Sequence, residues 1–588
     1  MENEKLEKLM MSRHSMAHVL AKAVCNLYKG VKLTIGPAIE DGFYYDIDLE
    51  KKLTPDDFKQ IEDEMVSIIK RSEPFKRVEV SKSEALKLFK GNEYKTEIIN
   101  ELPENETISI YYLGDDWFDL CRGPHVENSS KLQNMGFKIS RVSGAYWRGS
   151  EKNKMLQRIY VYAFASKKDL SDHIQKVEEA LKRDHNKLGR ELGFFTTVDY
   201  IGQGLPILLP NGARVIQLLQ RFVEDEEEKR GWLLTKTPLL SKNDLFKISG
   251  HWDHYKESMF VLGDEKKDKE VFCLRPMTCP FQYQAYLNKP RSYRDLPLRY
   301  NETSTLFRNE DSGEMHGLIR VRQFTISEGH LMCTPEQVED EFKNCLELAV
   351  FMLKTLGLYE DASYRFSQWD PNNREKYIGT EEDWNKTQGS MEKILKHLNI
   401  PYVIGIGEAA FYGPKLDIQI KNVFGKEDTL ITIQIDSLIA EKFSMEYTDK
   451  DGSKKRPIII HRTSIGCYER TLAYLIEKYA GALPVWMCPT QVVVANITDA
   501  SLDYCKEIAN KLREFGIRVR EDYRNEKINY KIREASNEKI PYQIIIGEKE
   551  MENKTISYRG RKFAQENGIS LNAFIEKITK EIREKTIC

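Results

Sequence analysis

Apolar residues change their spacing several times along this chain, and the changes mark its parts. Up to about residue 165, helical and strand patterns are mixed. Residues 167–192, KKDLSDHIQKVEEALKRDHNKLGREL, place apolar positions at helical spacing amid dense charge, which predicts one long, mostly exposed connector helix. Its charge run reads as a solvated face, with an RNA-facing helix as the alternative. From about 195 to 483, runs such as VFCLRPM, LIRVRQFTI, LDIQI, TLITIQI and RPIIIH have strand character. Helices such as ARVIQLLQRFVEDEEEKR and YERTLAYLIEKYA are interleaved, so a mixed, largely antiparallel sheet is expected. After 484 the pattern alternates: QVVVANI, IRVREDY and YQIIIG read as strands, and the segments between and after them as helices. That βαβαβα order predicts a small α/β domain on a mainly parallel sheet. The expected fold class is therefore multidomain, α+β followed by α/β, with parts at 1–165, 166–194, 195–483 and 484–588.

The 588 residues exceed one hydrophobic core, and size priors suggest roughly three to five domains. Hydrophobic residues at 41% and charged residues at 31% fit a soluble globular protein. A net charge of −2 gives no global basic field, so an RNA partner would need local basic surfaces. No apolar run approaches the roughly 18 residues of a membrane span, and the N-terminus MENEKLEKLM has no apolar signal region. The ten cysteines never form CxxC, which favours reduced thiols and a cytoplasmic setting over a disulfide scaffold. The terminal Cys588 lacks the aliphatic pair of a prenylation box.

Residues 306–328, LFRNEDSGEMHGLIRVRQFTISE, read as two strands around a polar loop containing Gly313 and Gly317. Alternation puts Arg308 and Glu310 on one face of the first strand, and Arg320, Phe324 and Glu328 on one face of the second. Arginine forks phosphate, an aromatic ring stacks on a base and a carboxylate accepts from an exocyclic amine, so this face suits a nucleotide. A surface hairpin with cross-strand ion pairs is the alternative. These residues resemble motif 2 of the class II aminoacyl-tRNA synthetases. GCYER, with Gly466, Glu469 and Arg470, resembles motif 3, and Pro238 after WLLTKTP resembles motif 1, the dimer-interface element. SGHWDHYKESMF, RPMTCP, HGLIRVRQFT, EAAFYGPKLDI and IIIHR are similar to the threonyl-tRNA synthetase family over nearly the whole chain.

The resemblance implies ATP-dependent attachment of L-threonine to tRNA(Thr) through threonyl-adenylate. It implies a class II antiparallel-sheet catalytic core, an N-terminal α+β editing domain, a C-terminal α/β anticodon-binding domain and a homodimer, with no membrane association. A small extra ubiquitin-like domain often precedes such chains, and this sequence has no room for one. Arg308 and Arg470 would hold the phosphates of ATP, which arrives with Mg2+; Glu310 and Phe324 would hold the adenine, with Arg320 on the same hairpin. Tyr412, Lys415, Gln434, Glu328 and Gly466 would complete the substrate pocket. Cys279, His330 and His461 would bind one Zn2+ per subunit. A metal suits threonine, because its amino nitrogen and β-hydroxyl can both ligate zinc while valine lacks the second donor. An apolar pocket separates such isosteres by only about 1–3 kcal/mol. Serine keeps the hydroxyl, so a second, hydrolytic site is expected.

That site falls in the first part. His14 and His18 lie four apart on a predicted helix, and Cys121 and His125 repeat the spacing across a Gly-Pro turn. Ligand arithmetic alone reads these four as zinc donors. The resemblance instead implies a metal-free pocket that hydrolyses seryl-tRNA, with Lys95 and Asp119 as further members; either a histidine or Lys95 would position the water. At the other end, Asn525, Glu550 and Arg559 match positions that read anticodon bases, with Lys527, Lys531 and Arg533 near a helix start. Departures from the family pattern are Phe281 and Gln282 after RPMTCP, Ile326, Glu328 and Cys467. A non-catalytic RNA-binding paralogue and a class II enzyme for another amino acid are the rival readings.

Overall fold

The structure, a computed structural model, describes residues 2–103, 106–150, 152–561 and 564–587; Cys588 lies outside the described residues. The chain forms two compact units, Met1–Glu178 and Glu179–Cys588.

In the first unit the helix Glu2–Leu27 buries Met16, Ala17, Leu20, Ala23 and Val24. They meet Phe43, Tyr45 and Ile47 from the strand Gly42–Asp48, and Ile61, Met65 and Ile68 from the helix Pro55–Lys70. An antiparallel sheet is built on Gly42–Asp48, Met155–Phe164 and Gly136–Tyr146. A second antiparallel sheet joins Phe75–Val80, Ile108–Leu113 and Phe118–Leu120. Residues of the first helix and of the loop after Phe118–Leu120 therefore face one another, although more than a hundred positions separate them.

The connector is not one helix. Lys167–Arg183 stops and His185–Glu191 begins, because Asp184 leaves helical geometry (φ −49°, ψ 123°) and its carboxylate accepts from the Asn186 N–H as an N-cap. The second piece is not solvated either: His185 and Gly189 are buried.

The second unit contains an eight-stranded sheet in the order Leu233–Leu234, Leu298–Phe307, Gln323–Cys333, Ile458–Cys467, Glu427–Asp436, Lys415–Lys421, Ala362–Gln368, Tyr402–Ile406. Its inner pairs are antiparallel and its two edge pairs parallel. Helices Pro210–Lys229, Val338–Leu356 and Tyr468–Lys478 bury Leu219, Leu346, Leu353, Leu472 and Ile476 in the core cluster that includes the sheet residues Ile431, Ile433 and Ile460. The C-terminal sheet runs Val519–Asp522, Val492–Asn496, Tyr542–Ile546, Ile556–Gly560, Glu566–Ile569. Its first three strands are parallel, as the alternating pattern predicts, and the last two turn back antiparallel. No helix among the described residues is long and apolar enough to cross a membrane.

Candidate functional site

The register of the large sheet brings distant residues together. His330 pairs with His461, and His461 with Gln434, on three neighbouring strands. Cys279 opens the helix Cys279–Leu287. The donor atoms of Cys279, His330 and His461 lie within 4.8 Å of one another, and all three residues are buried. His330 Nδ1 donates to Gln282 Oε1 at 2.6 Å, and Gln282 Nε2 donates to Thr235 Oγ1 at 2.8 Å. That fixes the tautomer and leaves His330 Nε2 buried with no hydrogen-bond partner among the described residues. His461 Nε2 is held by Asp436 Oδ2 at 3.2 Å, with the Tyr283 hydroxyl 3.4 Å from the same nitrogen. One sulfur, two imidazoles and an orphaned nitrogen fit zinc, and hydrogen-bonded outer partners are how such ligands are normally held. Burial pushes the Cys279 thiol well above its ordinary range and His330 well below its own, so without an ion these two donors are neutral near pH 7.

Two members of the triad, Cys279 and His461, line a cavity of about 470 Å³. Arg308, Glu310, Arg320, Phe324, Glu328, Tyr412, Lys415, Gln434 and Arg470 line the same cavity. The hairpin differs from its sequence reading in one respect. Its strands end at Phe307 and restart at Gln323, so Arg308, Glu310 and Arg320 stand on the connecting loop, not on strand faces. The loop is ordered by its own ion pairs. Arg320 bonds Glu310 Oε2 at 2.9 Å and Glu314 at 2.7 Å, and the Arg308 N–H donates to the Arg322 carbonyl at 2.8 Å. The Arg308 guanidinium sits 5.2 Å from the Phe324 ring centroid. Arg470, at the start of the helix Tyr468–Lys478, donates to the Ile319 carbonyl at 2.8 Å and to that of Thr429. Gly466 precedes that helix with φ +72°; a Cβ there would lie 1.9 Å from the Leu430 carbonyl oxygen, so only glycine fits.

Tyr412 donates to Gln434 Oε1 at 2.6 Å and its ring stacks on His461 at 5.0 Å. Lys415 pairs with Asp417 at 2.8 Å. Glu328 accepts from the Thr278 N–H at 3.1 Å and reaches within 3.7 Å of the orphaned His330 Nε2; burial pushes its carboxyl up. Gln282 and Asp436 were not singled out from sequence for this site, although Gln282 was noted as a departure. His251, within the quoted SGHWDHYKESMF, was also missed. It lines the cavity, its Nδ1 meets Ser249 Oγ at 2.8 Å, and burial pushes it down to about 3, so it stays neutral near pH 7.

In the first unit, His14, His18, Cys121 and His125 also place donor atoms within 4.8 Å of one another. Here the thiol and two of the rings bond one another, while His18 Nδ1 is buried without a partner among the described residues. Cys121 Sγ lies 3.3 Å from His14 Nε2 and 3.2 Å from His125 Nε2, and accepts from the Gly123 N–H at 3.3 Å. His125 Nδ1 lies 3.1 Å from Ser15 Oγ. Burial pushes the Cys121 thiol up to about 11 and lowers all three histidines, so thiol and imidazoles are neutral near pH 7. Beside them Lys95 and Asp119 form a buried pair at 2.6 Å, and Tyr45 also donates to Asp119. His14, His18, Lys95, Asp119 and Cys121 line a cavity of about 410 Å³.

The C-terminal residues are less united. Asn525 lies in the loop before the helix Ile528–Asn537. The Glu550 carboxylate is taken by the Gly547 N–H at 2.9 Å and the Ser557 hydroxyl at 2.7 Å. Arg559 pairs with Gln543, near the opposite end of the strand Tyr542–Ile546 from Glu550. Lys531 is buried against Asn496 and is not free for a nucleic acid.

Three family models match this chain: the "tRNA synthetase class II core domain (G, H, P, S and T)" at 260–479, the "Anticodon binding domain" at 491–581, and the "Threonyl and Alanyl tRNA synthetase second additional domain" at 108–160. A threonine–tRNA ligase of Clostridium perfringens (strain SM101 / Type A) is 59% identical over 572 residues, covering 97% of this chain and 88% of the relative. One from Oceanobacillus iheyensis is 45% identical over 588 residues, covering 100% and 90%. Among solved structures, the RNA binding domain of threonyl-tRNA synthetase from Cryptosporidium parvum Iowa II superposes with a TM-score of 0.64 at 33% identity, over 68% of this chain and 98% of that one.

Proposed function

The chain belongs to the threonine–tRNA ligase family, and we propose from that premise how its two cavities divide the work. The enzyme attaches L-threonine to tRNA(Thr) at the expense of ATP, through threonyl-adenylate, and hydrolyses seryl-tRNA(Thr) formed in error.

In the larger cavity Arg308 and Arg470 hold the phosphates of ATP, which enters with Mg2+, while Phe324 stacks on the adenine and Glu310 accepts from its amine. The threonine carboxylate attacks the α-phosphate in line, and the fixed arginine charges stabilise the negative charge that develops. Cys279, His330 and His461 would hold a zinc ion, which would supply a Lewis acid to take both the amino and the β-hydroxyl groups of threonine. Tyr412, Gln434, Lys415 and Glu328 shape the pocket around the amino acid, with Tyr412 and Gln434 locked to each other. Serine meets the same donors with one methyl fewer, which leaves a small energetic difference and a need for the second cavity.

There, the neutral imidazole of His14 or His18 is the proton acceptor for an attacking water, and Lys95 faces the charge that grows on the ester oxygen. Cys121 is a neutral thiol and orients the imidazoles; it is not a nucleophile. Asn525, Glu550 and Arg559 contact the anticodon loop. Exposed Leu233, Leu234, Leu239 and Leu240, at and beside an edge of the large sheet, are the apolar surface of a homodimer. The cytoplasm is the expected compartment, in keeping with described cysteines that are all free.

The observation that carries this reading is a Cys–His–His triad, with an orphaned His330 nitrogen, whose Cys279 and His461 line the cavity that holds the arginines. The test is exchange of pyrophosphate into ATP. Threonine should drive it, serine weakly and valine hardly at all; exchange that ignores the β-hydroxyl would overturn the assignment.

A further inference from the structure

A third cluster in the second unit joins Asp184, His185 and Glu477. Its imidazole is fully buried, and both ring nitrogens are taken. His185 Nε2 accepts from the Leu318 N–H at 3.3 Å, so it carries no proton. His185 Nδ1 therefore donates to Glu477 Oε1, at 2.7 Å. The other Glu477 oxygen accepts from the Val423 N–H at 3.2 Å. With no nitrogen lone pair to spare, the cluster is not a metal site, and it does not line the substrate cavity.

Its position gives it a use. Leu318 is the residue before Ile319, whose carbonyl accepts from Arg470, and two before Arg320. Glu477 lies on the same helix as Arg470, two turns further on. The backbone of the phosphate loop is pressed onto the connector at this point: Gly317 has φ +50°, and a Cβ on it would lie 2.2 Å from His185 Nε2 and 2.4 Å from Asn186 Oδ1. His316 packs edge-on against His185 with ring centroids 5.4 Å apart. One imidazole on the connector thus ties the returning limb of the Arg308–Arg322 loop to the helix that carries Arg470.

We propose that His185 is a positioning residue for ATP: through Leu318 and Glu477 it sets the separation between the loop that bears Arg308 and Arg320 and the helix that bears Arg470. This rests on the assignment of those arginines to ATP. Phosphate clamps work only when held in register, and an unanchored loop costs binding of the nucleotide, not of the amino acid. The zinc triad is supported by other elements, namely Gln282, Thr235 and Asp436.

The experiment is pyrophosphate exchange with full-length protein, varying ATP and threonine separately. His185→Ala removes a hydrogen bond to a charged group and one to a backbone amide, and should raise KM for ATP about 10-fold while KM for threonine moves less than about twofold. His185→Gln carries an acceptor near the Nε2 position and should recover most of the ATP affinity. His185→Asn keeps only a donor near Nδ1 and should not. If His185→Ala does not fold, the Gln and Asn pair delivers the same split. Equal rises in both KM values, or Gln and Asn behaving alike, would overturn the proposal. Failure of the ATP assignment itself looks different: Arg470→Ala would then leave KM for ATP and kcat unchanged.

Discussion

The Cys279–His330–His461 triad and the His14–His18–Cys121–His125 cluster use the same kinds of side chain, yet their donor atoms are satisfied differently. In the triad each histidine has one nitrogen held from outside, by Gln282 or Asp436, and the inward nitrogen of His330 has no partner. In the first unit the thiol lies between two imidazole nitrogens and takes a backbone N–H as well. Strands set the triad, through a register that places His330 opposite His461; a helix and a Gly-Pro turn set the cluster. Each cluster keeps one buried ring nitrogen without a partner among the described residues, His330 Nε2 in the first and His18 Nδ1 in the second; a thiol shared between two imidazoles beside the Lys95–Asp119 pair sets the second apart. Residue type and spacing therefore do not define a metal site. The hydrogen bonds that each thiol and ring already makes have to be counted as well.

The largest test of this contrast removes a donor from each. Cys279→Ala should abolish stoichiometric zinc and lower threonine-dependent pyrophosphate exchange by about 10³-fold or more, since a Lewis acid contributes several kcal/mol. Hydrolysis of supplied seryl-tRNA should continue. Metal analysis and the two assays on one preparation decide it; a zinc-free variant that still activates threonine breaks the contrast. The reciprocal change, His14→Ala, should slow seryl-tRNA hydrolysis by about 10²-fold, the usual size of a proton-transfer contribution. Zinc content and threonine activation should stay at wild-type levels. Loss of a second equivalent of metal on His14→Ala would show that the two clusters are alike after all.

The contrast also shows what the sequence could and could not disclose. The helix-spaced pair His14 and His18, with its echo in Cys121 and His125, is visible by counting, and counting alone points to zinc. The triad has no local spacing, because strand register and not helical pitch brings its members together, so it was legible only through the family blocks around it. The alternating C-terminal pattern disclosed three parallel strands, since each stands between helices and two of them, Val492–Asn496 and Tyr542–Ile546, are largely apolar. Strand parity failed at Arg308, Glu310 and Arg320, where the polar, glycine-containing loop is longer than the apolar pattern suggests. The connector broke at Asp184, a capping residue inside a run whose helical spacing looked unbroken. Gln282 stood out only as a departure, and its meaning needed the 2.6 Å contact to His330.

That contact yields a smaller, sharper test. Gln282→Leu keeps all three donors and removes the acceptor that fixes the His330 ring. Zinc affinity, read by competition with a chelator, should fall about 10-fold, at the low end of what outer-sphere partners contribute. Threonine activation at saturating zinc should be nearly restored. If affinity does not change, the orientation of His330 is set by packing alone, and the argument from its orphaned nitrogen weakens.

The mildest effect concerns acid. Burial lowers His14, His18 and His125 below the ordinary histidine value, and no metal is expected in the first unit to offset it. In the unfolded chain these histidines take up protons near pH 6.5, while the folded unit refuses them. The unfolded state therefore binds more protons below that pH, and the slope of stability against pH is positive there. Stability of the first unit should be fully present above about pH 6.5 and fall as the pH drops, by at most about 1.4 kcal/mol per histidine per pH unit. Hydrogen exchange of amides in the helix Glu2–Leu27, followed in the full-length enzyme from pH 7.5 to 5.5 after correction for intrinsic rates, reads this directly. His125→Asn should flatten the dependence, because it removes one proton-refusing group while an amide near the Nδ1 position can still meet Ser15. Protection that stays constant or rises on acidification would mean that the imidazoles are already charged. The metal-free reading of the cluster would then lose its electrostatic basis, because it depends on neutral rings sharing one thiol.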